Sequence, residues 1–109
     1  MKSLEQIQSE HTKWVLDNFG KHDQFEPLLG IVEEVGELAH SILKRRQGIR
    51  QGSSESHEAK IKDAIGDIAI YLMDFARCQG YELSEAIAET WQQVKKRDWR
   101  KFPINGRTK

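Results

Sequence analysis

The chain has 109 residues, with 17 Lys plus Arg against 17 Asp plus Glu, a length that suits one domain with one modest core and excludes two. The even charge leaves no overall field to draw the molecule to nucleic acid or to an anionic membrane surface, so any electrostatic function is local. The single cysteine, Cys78, excludes an intramolecular disulfide; with no apolar leader and no apolar run near the roughly 18 residues of a membrane span, it predicts a cytoplasmic location.

In chain order the pattern is helical nearly throughout. Leu4, Ile7, His11, Trp14, Val15 and Phe19 recur at three- and four-residue steps and Gly20 follows, which predicts a helix over 3–19. Pro27 suits the first turn of a second helix, whose apolar arc runs from Leu28 through Ile31, Val32, Val35, Leu38 and Ala39 to Ile42 and Leu43, ending near Gly48. The polar, Gly- and Ser-rich stretch "QGIRQGSSESHE", residues 47–58, predicts a mobile loop with His57 exposed in it.

From about Lys60 a third helix is apolar on most of its surface, with Ile61, Ala64, Ile65, Ile68 to Met73, Phe75 and Ala76. A helix of that kind is buried on more than one side, which one small four-helix layer does not provide, so a partner chain is expected to cover the rest. Gly80 marks its end, Ser84 is the expected N-cap of a fourth helix, and Ala86, Ile87, Ala88, Trp91 and Val94 carry that helix to near Trp99. Residues 100–109 form a short polar tail around Pro103. The expected architecture is a single all-α domain over 1–109, a four-helix bundle completed by dimerisation.

Against this background the acidic residues stand out. "GIVEEVGELAHSILK" sets Glu33, Glu34 and Glu37 within little more than one turn, where like charges repel by about 0.2–0.5 kcal/mol per pair. On the third helix Asp63 and Asp67 lie on one line, with Asp74 nearly two turns further along, where it reads as a solvated residue. Two such helices packed antiparallel gather their carboxylates into a cluster that suits a hard divalent cation. Mg²⁺ in particular takes carboxylates, keeps waters and meets substrate phosphates. Gly30, Gly36 and Gly66 weaken the helices that hold them, at roughly 1 kcal/mol each, and point to close helix approach.

The segments "LLGIVEEVGELAHSILK" and "KDAIGDIAIYLMDFA" resemble the two halves of the MazG-like all-α nucleoside triphosphate pyrophosphohydrolases, whose pattern is EExxE, a variable gap, then ExxD. The resemblance covers roughly residues 25–80. It implies a four-helix fold in dimers or tetramers, Mg²⁺ held by acidic residues of two helices, and hydrolysis of an NTP or dNTP to the monophosphate and pyrophosphate. Carried over by position, Glu33, Glu34 and Glu37 fill EExxE and Asp67 fills the final aspartate, while the remaining glutamate falls on Ala64. Asp63, one residue earlier, faces the same side as Asp67 and is the expected substitute. The expected metal ligands are therefore Glu34, Glu37, Asp63 and Asp67, with Mn²⁺ able to replace Mg²⁺, and Glu33 is the candidate acceptor of a water proton.

Two basic runs follow the helices. "KRRQGIR" carries Lys44, Arg45, Arg46 and Arg50, and "KKRDWRK" carries Lys95, Lys96, Arg97, Arg100 and Lys101. Each either complements a helix dipole or binds phosphate; the resemblance favours Lys95 and Arg97 as substrate-binding. Trp14, Trp91 and Trp99 either stack a base or pack in the core, and Trp14 is carried as a substrate-binding candidate. The four histidines show no zinc-ligand spacing with Cys78, which is expected to be a small buried residue, and no Walker-type loop is present. The alternative function is a non-catalytic helical dimerisation or nucleotide-binding module that has lost turnover.

Overall fold

The computed structural model describes residues 1–49 and 54–107, and of 54–56 only the backbone. Four helices follow one another, α1 (Leu4–Phe19), α2 (Phe25–Gln47), α3 (Ser54–Cys78) and α4 (Leu83–Val94), and no strand occurs among the described residues. The fold is all-α, and no helix is long and apolar enough to cross a membrane among those residues.

Local chemistry sets most of these boundaries. Ser3 and Gln6 form a reciprocal capping box at the start of α1: Gln6 N–H donates to Ser3 Oγ at 3.1 Å and Ser3 N–H donates to Gln6 Oε1 at 2.8 Å. At the end of α2, Gly48 takes φ +71°, and its N–H and that of Ile49 reach back to the carbonyls of Arg45 and Lys44. Lys44, Arg45 and Arg46 lie in that last turn, where cations are favoured.

Three boundaries differ from the sequence expectation. The 47–58 loop is shorter, because Gln47 closes α2 and α3 begins at Ser54; residues 50–53, including Arg50 of the first basic run, lie outside the described residues. Burial of His57, 8 % exposed rather than solvated in a loop, ties this early turn of α3 to the fold. The N-cap of α4 is Glu82 rather than Ser84, and it makes no side-chain cap. The work is done from a distance: Gln8 of α1 accepts the Leu83 N–H at 2.7 Å and donates to the Tyr81 carbonyl at 3.0 Å. Finally, α4 stops at Val94 instead of near Trp99. Asp98 then turns the chain, accepting the N–H groups of Arg100 and Lys101 on Oδ1, and its own N–H donates to the Gly106 carbonyl at 2.7 Å. The polar tail is thus a closed loop as far as Arg107.

The α2/α3 hairpin is the centre of the molecule. The helices run antiparallel: Gly30 faces Tyr71, Glu34 and Asp67 lie together, and Ser41 and Lys60 line one cavity. A Cβ on Gly30 would fall 2.5 Å from the Tyr71 ring, so glycine lets that ring lie on the α2 backbone. Close approach explains Gly30 only; at Gly36 and Gly66 a Cβ would meet nothing within 4 Å. Helix α1 crosses α3, and α4 leans on α1 and more lightly on α3. Val15, Ala64 and Met73 are the apolar residues buried in the core, while Leu29, Val32 and Leu43 of α2 and Ile87 and Trp91 of α4 stay exposed.

Candidate metal centre and adjoining cavity

The helical repeat of α2 puts Glu33, Glu34 and Glu37 side by side, and one carboxylate oxygen from each lies within 4.8 Å of the others. Glu34 is half-buried, and its two neighbours are exposed. Across the hairpin, Asp63 and Asp67 of α3 project from the same side as sequence periodicity requires. All five line one open cavity of about 580 Å³, together with Gly36, Leu38, His40, Ser41, Lys60 and Ala64. Ala64 itself is buried, 6 % exposed, whereas Asp63 is exposed at the cavity wall. The position at which the MazG-like pattern would put a glutamate is therefore occupied by a packing residue, with a carboxylate beside it.

The electrostatics follow from this crowding. Desolvation of Glu34 against α3, then the charges of Glu37, Asp67 and Glu33, push its pKa above the ordinary glutamate value, and a hydrogen bond with Glu37 adds to the effect. The same carboxylates act on Tyr71, whose phenol is pushed up by burial first and by Glu33, Glu34, Asp67 and Glu37 after it. Among the described residues Lys60 is the one Lys or Arg on the cavity lining. A donor set made of carboxylate oxygens, five of them against Lys60, fits a hard divalent ion such as Mg²⁺ or Mn²⁺.

A second cavity of about 710 Å³ shares Glu34 and Asp67 with the first. His11, Trp14, Val15 and Phe19 of α1 form one wall, Glu26 and Pro27 of α2 contribute another, and Ile70, Tyr71 and Asp74 of α3 close it with His22. Trp14 is 52 % exposed and packs against His11 and Phe19, each ring centroid at 5.7 Å. It belongs to a cavity wall rather than to the core. Lys95 and Arg97 line neither cavity.

At the far end of the second cavity is an ion network that the sequence reading does not contain. Asp74, taken there as solvated, is buried at 4 % exposure. Its Oδ2 contacts His22 Nε2 at 2.6 Å, and Arg77 donates to Oδ1 from Nε at 2.9 Å and from a terminal nitrogen at 2.7 Å. Burial acts to raise the Asp74 pKa, but the hydrogen bonds and charges of His22 and Arg77 outweigh it and hold the carboxyl below the usual aspartate value. His11 is held below the ordinary histidine value by its own burial, with Arg77 and His22 adding to this and Asp74 opposing it.

His22, Asp74 and Cys78 bring three ligand atoms within 4.8 Å, yet Arg77 donates to both Asp74 and Cys78. The guanidinium already fills the place of a cation, and burial keeps the half-buried Cys78 thiol protonated by pushing its pKa up. His57 lies outside both cavities, and its ring nitrogens are buried without a hydrogen-bond partner among the described residues.

The α1 wall carries a signal in the sequence: His11 and Trp14 are polar-edged rings on the apolar face of a helix, where aliphatic residues are the ordinary choice. Asp74 carries a weaker one, as an acid within an otherwise apolar run. Its partner His22 comes from the connector before α2, and no periodicity links the two. Comparison with known proteins finds no family model and no curated protein that matches the chain.

Proposed function

We propose that the chain is a Mg²⁺-dependent nucleoside triphosphate pyrophosphohydrolase, hydrolysing an NTP or dNTP to the monophosphate and pyrophosphate. The observation that carries this reading is the junction of the two cavities. A cluster of five carboxylates from α2 and α3 adjoins a ring-lined chamber, the two cavities sharing Glu34 and Asp67 in their walls. The first suits a metal-bound polyphosphate and the second a flat nucleoside. The resemblance of "LLGIVEEVGELAHSILK" and "KDAIGDIAIYLMDFA" to the MazG-like halves points the same way.

In this reading Glu34, Glu37 and Asp67 hold the ion, and Asp63 supplies the group that Ala64 does not. When bound, Mg²⁺ neutralises phosphate charge and makes a coordinated water more acidic. Glu33, at the exposed edge of the cluster, accepts the proton of the attacking water as its oxygen bonds to phosphorus and the bond to pyrophosphate breaks. Trp14, His11 and Phe19 receive the base, and Tyr71, packed on Gly30, lines the same cavity.

A homodimer or homotetramer completes the molecule in the same reading. The apolar faces left open on α2 and α4 support it. A second copy is also the route by which Lys95 and Arg97 would reach the phosphates, since neither lines the cavities of its own chain.

A non-catalytic nucleotide-binding or dimerisation module is the second reading, and Ala64 favours it. Pyrophosphate release from a panel of NTPs and dNTPs with Mg²⁺ or Mn²⁺, run beside Glu37→Gln and Asp63→Asn, separates the two. Turnover that disappears in both variants upholds the hydrolase and gives Asp63 its role. Loss in Glu37→Gln alone keeps the hydrolase and removes Asp63 from the site. No release from any nucleotide by the unaltered protein rejects catalysis.

A further inference from the structure

The second cavity joins aromatic walls to an acidic lining. His11, Trp14 and Phe19 of α1 and Tyr71 of α3 bring rings to it, Trp14 with 52 % of its surface open, and Glu26, Glu34, Asp67 and Asp74 bring carboxylates. Among the described residues no Lys or Arg lines it, and its basic groups are the imidazoles of His11 and His22. These add little positive charge. Burial favours neutral His11, and any charge on His22 is met by Asp74 at 2.6 Å.

Three of the four carboxylates have an answering charge. Glu34 and Asp67 are shared with the acidic centre, where the metal ion of the proposed function neutralises them. Asp74 is held by Arg77 and His22. Glu26 is left over, with no hydrogen-bond or ion-pair partner among the described residues. It stands eight residues before Glu34, about 12 Å along α2 at 1.5 Å per residue, and one turn beyond Gly30. Since Gly30 faces Tyr71 and Glu34 lies with Asp67, Glu26 belongs to the end of the cavity remote from the metal centre. His11 responds to the charges of Asp74, Arg77 and His22 and so lies at this end too, with the Trp14 ring 5.7 Å away.

An unpaired carboxylate beside open aromatic rings suits a flat organic cation. The face of an indole or phenyl ring attracts positive charge through its quadrupole. Coulomb attraction to Glu26 acts over distance and needs no single donor–acceptor geometry. A neutral base gains the stacking without the charge. We propose that this cavity takes a nucleoside whose base is positively charged, an N-alkylated purine or pyrimidine, in preference to its neutral parent, with Trp14 and Phe19 as ring walls and Glu26 as the counter-charge. This inference rests on the nucleotide reading above and adds the class of base. An acid in the first turn of α2 also complements the helix dipole, a role that acts on stability and is indifferent to the ligand.

The test is a tryptophan-fluorescence titration with Mg²⁺ and three triphosphates, below the pH at which 7-methylguanine loses its N1 proton. They are 7-methylguanosine triphosphate, a fixed cation; guanosine triphosphate, its neutral parent; and 6-O-methylguanosine triphosphate, methylated but neutral. The expected result is binding of the cation about tenfold or more tighter than of either neutral nucleotide, the ratio falling below about threefold in Glu26→Gln and in Trp14→Leu. Equal dissociation constants, a preference for the neutral parent, or equal tightening by the neutral methyl group overturns the proposal. A ratio unmoved by Glu26→Gln, even with a lower melting temperature, leaves that residue the helix-dipole role alone and overturns it as well. If the triphosphates bind and none is hydrolysed, the catalytic reading fails separately and the binding ratios still decide. If no triphosphate binds, the nucleotide reading fails, and the nucleosides 7-methylguanosine and guanosine are compared instead. Tighter binding of the cation that Glu26→Gln abolishes upholds the cation site, and equal or absent binding overturns it.

Discussion

Glu34 touches both cavities, and its raised pKa makes it the most direct single-residue test of the site. A carboxyl whose folded pKa lies above its unfolded value stabilises the fold below the unfolded value and loses that contribution as pH rises through the folded one. The metal-free protein is therefore expected to lose stability above the ordinary glutamate range as Glu34 ionises among Glu33, Glu37 and Asp67. Mg²⁺ should reverse this, because it replaces the proton as the neutralising charge. At about ten times its Kd the ion adds about 1.4 kcal/mol, read as an upward shift in melting temperature that grows with pH and is lost in Glu34→Gln. Asp74 behaves in the opposite sense. Its depressed pKa gives stability that is present above the unfolded aspartate value and disappears as pH falls through the folded one. Asp74→Ala removes the carboxylate that Arg77 and His22 share. It is expected to cost about 2–4 kcal/mol in urea denaturation.

At the scale of helices, glycine separates two roles. Gly30→Ala drives a methyl group into the Tyr71 ring and is expected to destabilise by about 1–3 kcal/mol. Within one chain Gly66→Ala meets open space and gains about 0.5–1 kcal/mol from helix propensity. Guanidinium denaturation of the two variants gives opposite signs. The sequence shows three equivalent glycines here, since periodicity says where a residue points and not what stands opposite. The same limit explains the other differences. The capping box at Ser3 and the glycine stop at Gly48 are local and can be read directly. The start of α4 depends on Gln8, more than 70 residues earlier, and no local rule reaches that far. The carboxylates of α2 and α3 were legible because helical spacing alone puts them on facing sides of a hairpin. The α1 wall and the His22–Asp74 contact arise from how α1 and its connector lie across that hairpin, which is a tertiary matter.

For the whole molecule the deciding feature is how little is buried. Among the described residues the buried apolar core is only Val15, Ala64 and Met73, with Pro27 beside them, while Leu29 is 66 % and Val32 63 % exposed. Leu29, Val32 and Val35 recur at three-residue steps along α2 and are all exposed, an apolar face of the kind that marks an interaction site. Light scattering is expected to give a dimer or larger assembly, and Val32→Asp to shift it toward monomer with a lower melting temperature that depends on concentration. The apolar third helix is the part of this that the sequence announces; the exposed arc of α2 becomes clear only once α3 is seen to cover one side of it. The shared wall at Glu34 and Asp67 has a further consequence. The carboxylates stand on α2 and α3, whereas His11, Trp14, Phe19 and His22 belong to α1 and the connector that follows it. On the proposed reading, substitutions in the first 22 residues therefore redirect which ligand is taken up and leave the acidic cluster intact. Paired changes, one in α1 and one in the acidic cluster, should have additive effects on transition-state free energy unless they involve Glu34 or Asp67. On the proposed reading, ligand preference can change through α1 and its connector while the carboxylates of the α2/α3 hairpin stay as they are.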